Sequence, residues 1–114
     1  MELDLLFRAL SDPTRRRMMD ELAERDGQTL FELHVRLITW HGASLTRQAL
    51  SKHLTTLEEA GLLRIEWRWR SKHHFLEREP IRRAWKLWLG QFLTLDCVIQ
   101  EKPDEDRTDE RVGG

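Results

Sequence analysis

Arg47, Gln48, Ser51, Lys52 and Thr55 are spaced so that a helix of 3.6 residues per turn gathers them on one polar face. A face of this kind fits a groove about 12 Å wide, the major groove of duplex DNA, and offers donors and acceptors to base edges there. Arg47 can fork onto guanine and Gln48 onto adenine, each pairing contributing roughly 1–3 kcal/mol of discrimination. Ser51 and Thr55 suit bases or phosphates. Lys52 and His53 suit phosphates, which position a protein without reading sequence. A second basic set, Arg68, Arg70 and Lys72, surrounds a turn. Taken alone, either set also fits an ordinary solvated surface, so the elements that hold them must decide.

Other chemistry finds little support. Cys97 is the only cysteine, so no intrachain disulfide or thiolate-rich metal site is available within one chain. It lies on an apolar stretch without a nearby base. No glycine-rich phosphate loop or paired-carboxylate pocket is present, which argues against an enzyme and against a cofactor. The histidines at 34, 41, 53, 73 and 74 read as surface or phosphate-contacting groups before they read as zinc ligands. His73 and His74 are adjacent, so on a strand they point to opposite faces.

The positioning elements follow from periodicity. Leu3, Leu6, Phe7 and Leu10 give a short first helix. Asp12 caps a second at Pro13, with Met18, Met19, Leu22 and Ala23 inward, and Gly27 ends it. Thr29 and Glu32 have capping-box spacing and open a third helix that buries Leu30, Leu33, Leu37 and Ile38 and breaks around Gly42. Ser44 or Thr46 caps the fourth helix, whose buried side is Ala49, Leu50, Leu54 and Leu57 and whose stop is Gly61. Leu63, Ile65 and Trp67 alternate with charged residues as in a half-buried strand. This pattern expects Trp67 to pack, with Trp69 nearer the tip. Arg70-Ser71-Lys72 turns the chain, and residues 73–76 return as the partner strand. Glu79-Pro80 opens a last helix whose Ile81, Trp85, Trp88, Phe92, Leu95 and Ile99 step by four and three, a coiled-coil-like seam.

The fold class expected is therefore mainly α with a small β-hairpin, a winged helix-turn-helix. At 114 residues one domain is expected over 1–100, with an acidic disordered tail over 101–114. A small domain is hard pressed to bury both Leu3, Leu6 and Leu10 and the seam of Ile81, Trp85, Trp88, Phe92 and Leu95, so these terminal helices are expected to form a homodimer interface. The net charge of −1 conceals a division. Residues 1–43 sum to −2, residues 44–86 to +5, residues 87–100 to −1 and the tail from Glu101 to −3. The positive middle suits a polyanionic partner. No apolar run approaches the roughly 20 residues of a membrane span, and the N-terminus lacks the pattern of a secretory signal, so a cytoplasmic location is expected.

At this point a resemblance is specific. Leu6-Phe7-Arg8-Ala9-Leu10-Ser11-Asp12-Pro13-Thr14-Arg15-Arg16 is similar to the opening of arsenical-repressor-type (ArsR-type) winged-helix regulators. Arg47-Gln48-Ala49-Leu50-Ser51-Lys52-His53-Leu54, followed by Leu57-Glu58-Glu59-Ala60-Gly61-Leu62, resembles their recognition helix, and the likeness spans roughly residues 3–95. It implies a homodimer on double-stranded DNA, usually a repressor on a pseudo-palindromic operator. Arg47, Gln48, Ser51, Lys52 and His53 then take DNA-facing positions, and Arg68, Arg70 and Lys72 the wing. There are two departures: the segment Ile38 to Ser44 is longer than the usual turn, and the wing lacks a glycine. The metal sensors of that family carry paired cysteines or acidic and histidine ligands. Here the corresponding segment reads Phe31-Glu32-Leu33-His34, and residues 80–100 contain no histidine, so none of the usual metal sites is expected. No effector is assigned. The alternative function is a winged-helix protein-protein interaction module in which Trp67 or Trp69 docks a partner.

Overall fold

The computed structural model describes residues 2–42 and 44–93. Its elements are α1 (Glu2–Leu10), α2 (Pro13–Glu24), α3 (Leu30–His41), α4 (Arg47–Glu59), β1 (Leu63–Arg68), β2 (Ser71–Leu76) and α5 (Glu79–Leu87), followed by a 3₁₀ turn at Leu89–Phe92. This is a winged helix-turn-helix: five helices and one antiparallel hairpin. Contacts divide the chain into two units, with the boundary after Ile81.

In the first unit, local chemistry sets the helix boundaries. Asp12 Oδ1 accepts the backbone N–H groups of Thr14 and Arg15, at 2.8 and 3.2 Å, and so caps α2. Thr29 and Glu32 complete a reciprocal capping box at α3. Of the two candidate caps for α4, Thr46 serves, its Oγ1 accepting from the Ala49 N–H at 3.1 Å. Gly42 ends α3 in the left-handed region that glycine alone enters without strain.

The core of this unit joins Leu6 and Ala9 of α1, Met18 and Leu22 of α2, Leu33 and Leu37 of α3 and Leu50, Leu54 and Leu57 of α4 to Leu62 and Leu63. Ala23, expected inward on α2, is exposed, and Glu21 occupies the buried position instead. The reason is a polar cluster. Arg36 Nε donates to Glu21 Oε1 at 2.5 Å and His41 Nε2 donates to Oε2 at 2.8 Å, joining α2 to α3. Burial raises the Glu21 pKa, but these two donors outweigh it and hold the carboxyl below the usual range. Ile38, expected in the core, is exposed because it lies about 100° further round α3 than Leu37, off the face that Leu33 and Leu37 bury.

In the hairpin, Arg68 pairs with Ser71, leaving Trp69-Arg70 as a two-residue loop one position earlier than the sequence suggests. Trp67 does not pack. It is 66% exposed because it lies beyond the part of β1 that the core covers. The base of the hairpin is better held. His74 and Gln28 form an isolated β-bridge, with the His74 N–H donating to the Gln28 carbonyl at 2.9 Å.

The second unit corrects the long seam. α5 ends at Leu87, and Trp88 leaves helical geometry with φ −148°. Gly90 then lies against Trp85, where a Cβ would fall 2.7 Å from the Trp85 carbonyl oxygen. A step pattern of four and three does not register the low helix propensity of this glycine. Trp88 and Phe92 meet edge to face, 5.0 Å between centroids. Leu95, Cys97, Ile99 and the acidic tail lie outside the described residues.

Candidate nucleic-acid interface

α4 is an amphipathic helix. Leu50, Leu54 and Leu57 are buried, while Arg47, Gln48, Ser51, Lys52 and Thr55 are exposed. Arg47 and Gln48 stand in the first turn. The Arg47 guanidinium lies 5.9 Å from the centroid of Phe31, an α3 residue that is 60% exposed. This contact restrains a long side chain and is worth ~0.5–1 kcal/mol at an exposed site. Nothing in the sequence announced Phe31, because the contact joins residues sixteen positions apart.

His53 lies at the flank, half-buried. Arg15 has no acceptor atom, so its Nη1 donates to His53 Nδ1, at 3.1 Å, which leaves Nε2 as the imidazole's donor. Arg15 also donates through Nε to Ala9 O at 2.8 Å and through Nη2 to Arg8 O at 3.0 Å. Arg16 Nη1 reaches Leu10 O at 2.6 Å. The Ser-Asp-Pro-Thr-Arg-Arg segment thus caps α2 with its aspartate, ties up the last carbonyls of α1 with its arginines, and braces α4 through His53.

The connection from α3 to α4 is anchored. His34 Nε2 donates to the Leu45 carbonyl at 2.9 Å, pulling the loop back onto α3. His73 and His74 are also structural. Their Nδ1 atoms donate to Gly27 O at 2.7 Å and Gln28 O at 2.9 Å. Burial is the main reason that the His74 pKa is lowered, an effect partly opposed by its bond to Gln28.

The three wing cations diverge. Lys72 pairs with Trp67 on the face that His74 and Ile65 share, and with Ser51, Thr55 and Ser71 it lines a groove of about 500 Å³ between α4 and β2. Leu30, Phe31 and Leu54 contribute apolar wall. Arg68 lies on the opposite face, its guanidinium 5.1 Å from the Phe75 centroid and 3.5 Å from Glu66. Arg70 is at the tip, 4.9 Å from the Trp69 centroid. Ser51, Thr55 and Lys72 therefore share one groove, Arg47 and Gln48 extend from the start of α4, and Arg68 does not converge with them.

At the tip, Trp69 adopts φ 61°, the only positive φ outside glycine among the described residues. This left-handed conformation costs a non-glycine residue roughly 1–2 kcal/mol. A missing glycine was the only sequence signal for it.

Comparison with known proteins agrees with this geometry. A family model described as a helix-turn-helix domain matches residues 10–66. YuzN, an uncharacterized HTH-type transcriptional regulator of Bacillus subtilis (strain 168), is 44% identical over 86 residues, 75% of this chain and 94% of the relative. Among solved structures, an ArsR-like transcriptional regulator from Rhodococcus sp. RHA1 is 28% identical, with TM-score 0.68 over 80% of this chain and 76% of that one. The cadmium metal-sensor CMTR of Mycobacterium tuberculosis is 30% identical, with TM-score 0.51 over 75% and 82% of the respective chains.

Proposed function

The chain belongs to the helix-turn-helix family of transcriptional regulators, with ArsR-type proteins among its structural relatives, and from that premise we propose that it reads a pseudo-palindromic operator in duplex DNA as a homodimeric repressor. The observation that carries this reading is the amphipathic α4, which exposes Arg47, Gln48, Ser51, Lys52 and Thr55 over a buried leucine side. A two-fold pairing of terminal helices sets two copies of α4 about one DNA turn apart, which makes the operator symmetric. Ile81, Trp85, Trp88 and Phe92 present exposed apolar surface for this pairing, with Leu3 and Leu10 half-buried beside the outward Leu5. Leu6, expected at the interface, is only 2% exposed and belongs to the core of its own chain. The helix phase that points Leu6 and Ala9 inward turns Leu5 outward.

The test is binding of the purified protein to its own upstream DNA at two salt concentrations, beside an Arg47→Ala, Gln48→Ala double variant. Loss of two bidentate contacts is expected to weaken binding on the order of 100-fold. Wild-type affinity should fall with salt at a log-log slope of about −0.9 per neutralised phosphate. Unchanged binding by the double variant overturns the assignment of α4. The exposed Trp67 and Trp69 favour one second reading, a protein-docking module, whose association would show no such slope.

A further inference from the structure

The wing ends in a side chain that neither the core nor base reading by α4 requires. Trp69 is 87% exposed and sits at the first central position of the hairpin loop with φ 61°. Glycine or asparagine suits that conformation, and a large apolar ring does not. Strain at an exposed position is evidence that the side chain is used. Cations flank it in sequence: Arg70 and Lys72 stand beside the tip, while Arg68 is paired with Glu66. We propose that Trp69 is a minor-groove wedge, an indole that enters the groove beside the α4 site and partly unstacks one flexible base step. This inference rests on the duplex-DNA reading above and adds to it a second, shape-dependent source of specificity.

Three observations fit the duplex as the occupant. First, the tip is narrow, since a two-residue loop places one ring at its end with the strands falling away behind it. A minor groove about 6 Å wide admits such a tip edge-on. Second, Arg70 at the tip and Lys72 on the adjoining strand complement the phosphate rows beside that groove, whereas Arg68 is held against Glu66 and Phe75. Third, Arg70 covers the indole, its guanidinium carbon 4.9 Å from the ring centroid. The stacked pair is too thick for the groove, so insertion sends Arg70 off the ring and onto a phosphate. Apolar wedges of this kind open pyrimidine–purine steps, which unstack most easily, and kink the duplex by roughly 20–90°.

The experiment compares the full chain with its Trp69→Gly and Arg70→Ala variants on a fluorophore-labelled duplex, reading affinity by anisotropy and bend by energy transfer. Glycine accepts the positive φ, so Trp69→Gly removes the ring while relieving strain, and thermal unfolding should show a hairpin at least as stable. The expected result is about 10-fold weaker binding, loss of the bend and an unchanged salt slope, because no charge has been removed. Arg70→Ala should lower that slope by about one phosphate. Trp69→Gly binding and bending like wild type overturns the wedge and leaves the indole to a protein partner. If binding depends on Arg47 and Gln48 but not on Trp69, only the wedge fails. Absence of any wild-type binding overturns both readings.

Discussion

At His74, protonation and folding are coupled. Burial favours the neutral imidazole in the native state, with Lys72 and His73 adding to that preference and Glu58 and the Gln28 bond opposing it. The folded pKa therefore lies below the unfolded value near 6.5. Stability from this site is complete above that value and is lost as pH falls towards the lowered one. Glu21, held below its usual range, adds a second loss only at pH below about 4.5. The urea midpoint of the wild-type chain should thus fall between pH ~7.5 and ~5.5, and His74→Gln should flatten that decline. A wild-type midpoint that does not move would refute the linkage. The exposed polar face of α4 was legible in the sequence because polar positions at helical spacing need no partner to be recognised. The supports were not. Phe31 meets Arg47 and Arg15 meets His53 only after folding, and two isolated residue types far apart in the chain carry no mutual signal.

Element boundaries were legible wherever a cap enforces them. Asp12 and the Thr29-Glu32 pair act as their spacing suggests, since capping depends on three or four consecutive residues alone. The hairpin is anchored less locally. Gly27 holds φ +76°, and a Cβ there would lie 2.8 Å from Phe75 Cε2. The Phe75 ring has little room to yield, because the guanidinium groups of Arg64 and Arg68 stand 4.7 and 5.1 Å from its centroid. Gly27→Ala should therefore destabilise the fold by ~2–4 kcal/mol, combining overpacking with left-handed strain. Gly42→Ala meets nothing within 4 Å and should show only the ~1–2 kcal/mol of strain. Equal denaturation midpoints for the two variants would contradict the close approach. α5 is where periodicity misled. Apolar steps of four and three continue through Trp88 and Phe92 although the helix stops at Leu87, because the pattern records faces and not the backbone break at Gly90.

For the whole molecule, element order alone indicated the winged helix-turn-helix, since helix, helix, helix, polar-faced helix and hairpin in that sequence leave few compact arrangements. The proposed dimer is a property that one chain cannot display. Phe92 is 62% exposed, so Phe92→Glu should leave the protomer folded while halving the mass seen by light scattering and weakening operator binding. A wild-type chain that already has the mass of one protomer would exclude the dimer. The bracket made by Arg15 has a further consequence at this scale. One guanidinium grips the last carbonyls of α1 and the flank of α4, so the element nearest the proposed two-fold axis and the proposed recognition helix are pinned together. Paired as proposed, two such protomers would form a calliper whose jaw opening is fixed before any operator is met. The length of DNA between half-sites would then be a quantity the proposed dimer measures, and an operator lengthened by a base pair should bind more weakly because its second half-site is rotated out of reach.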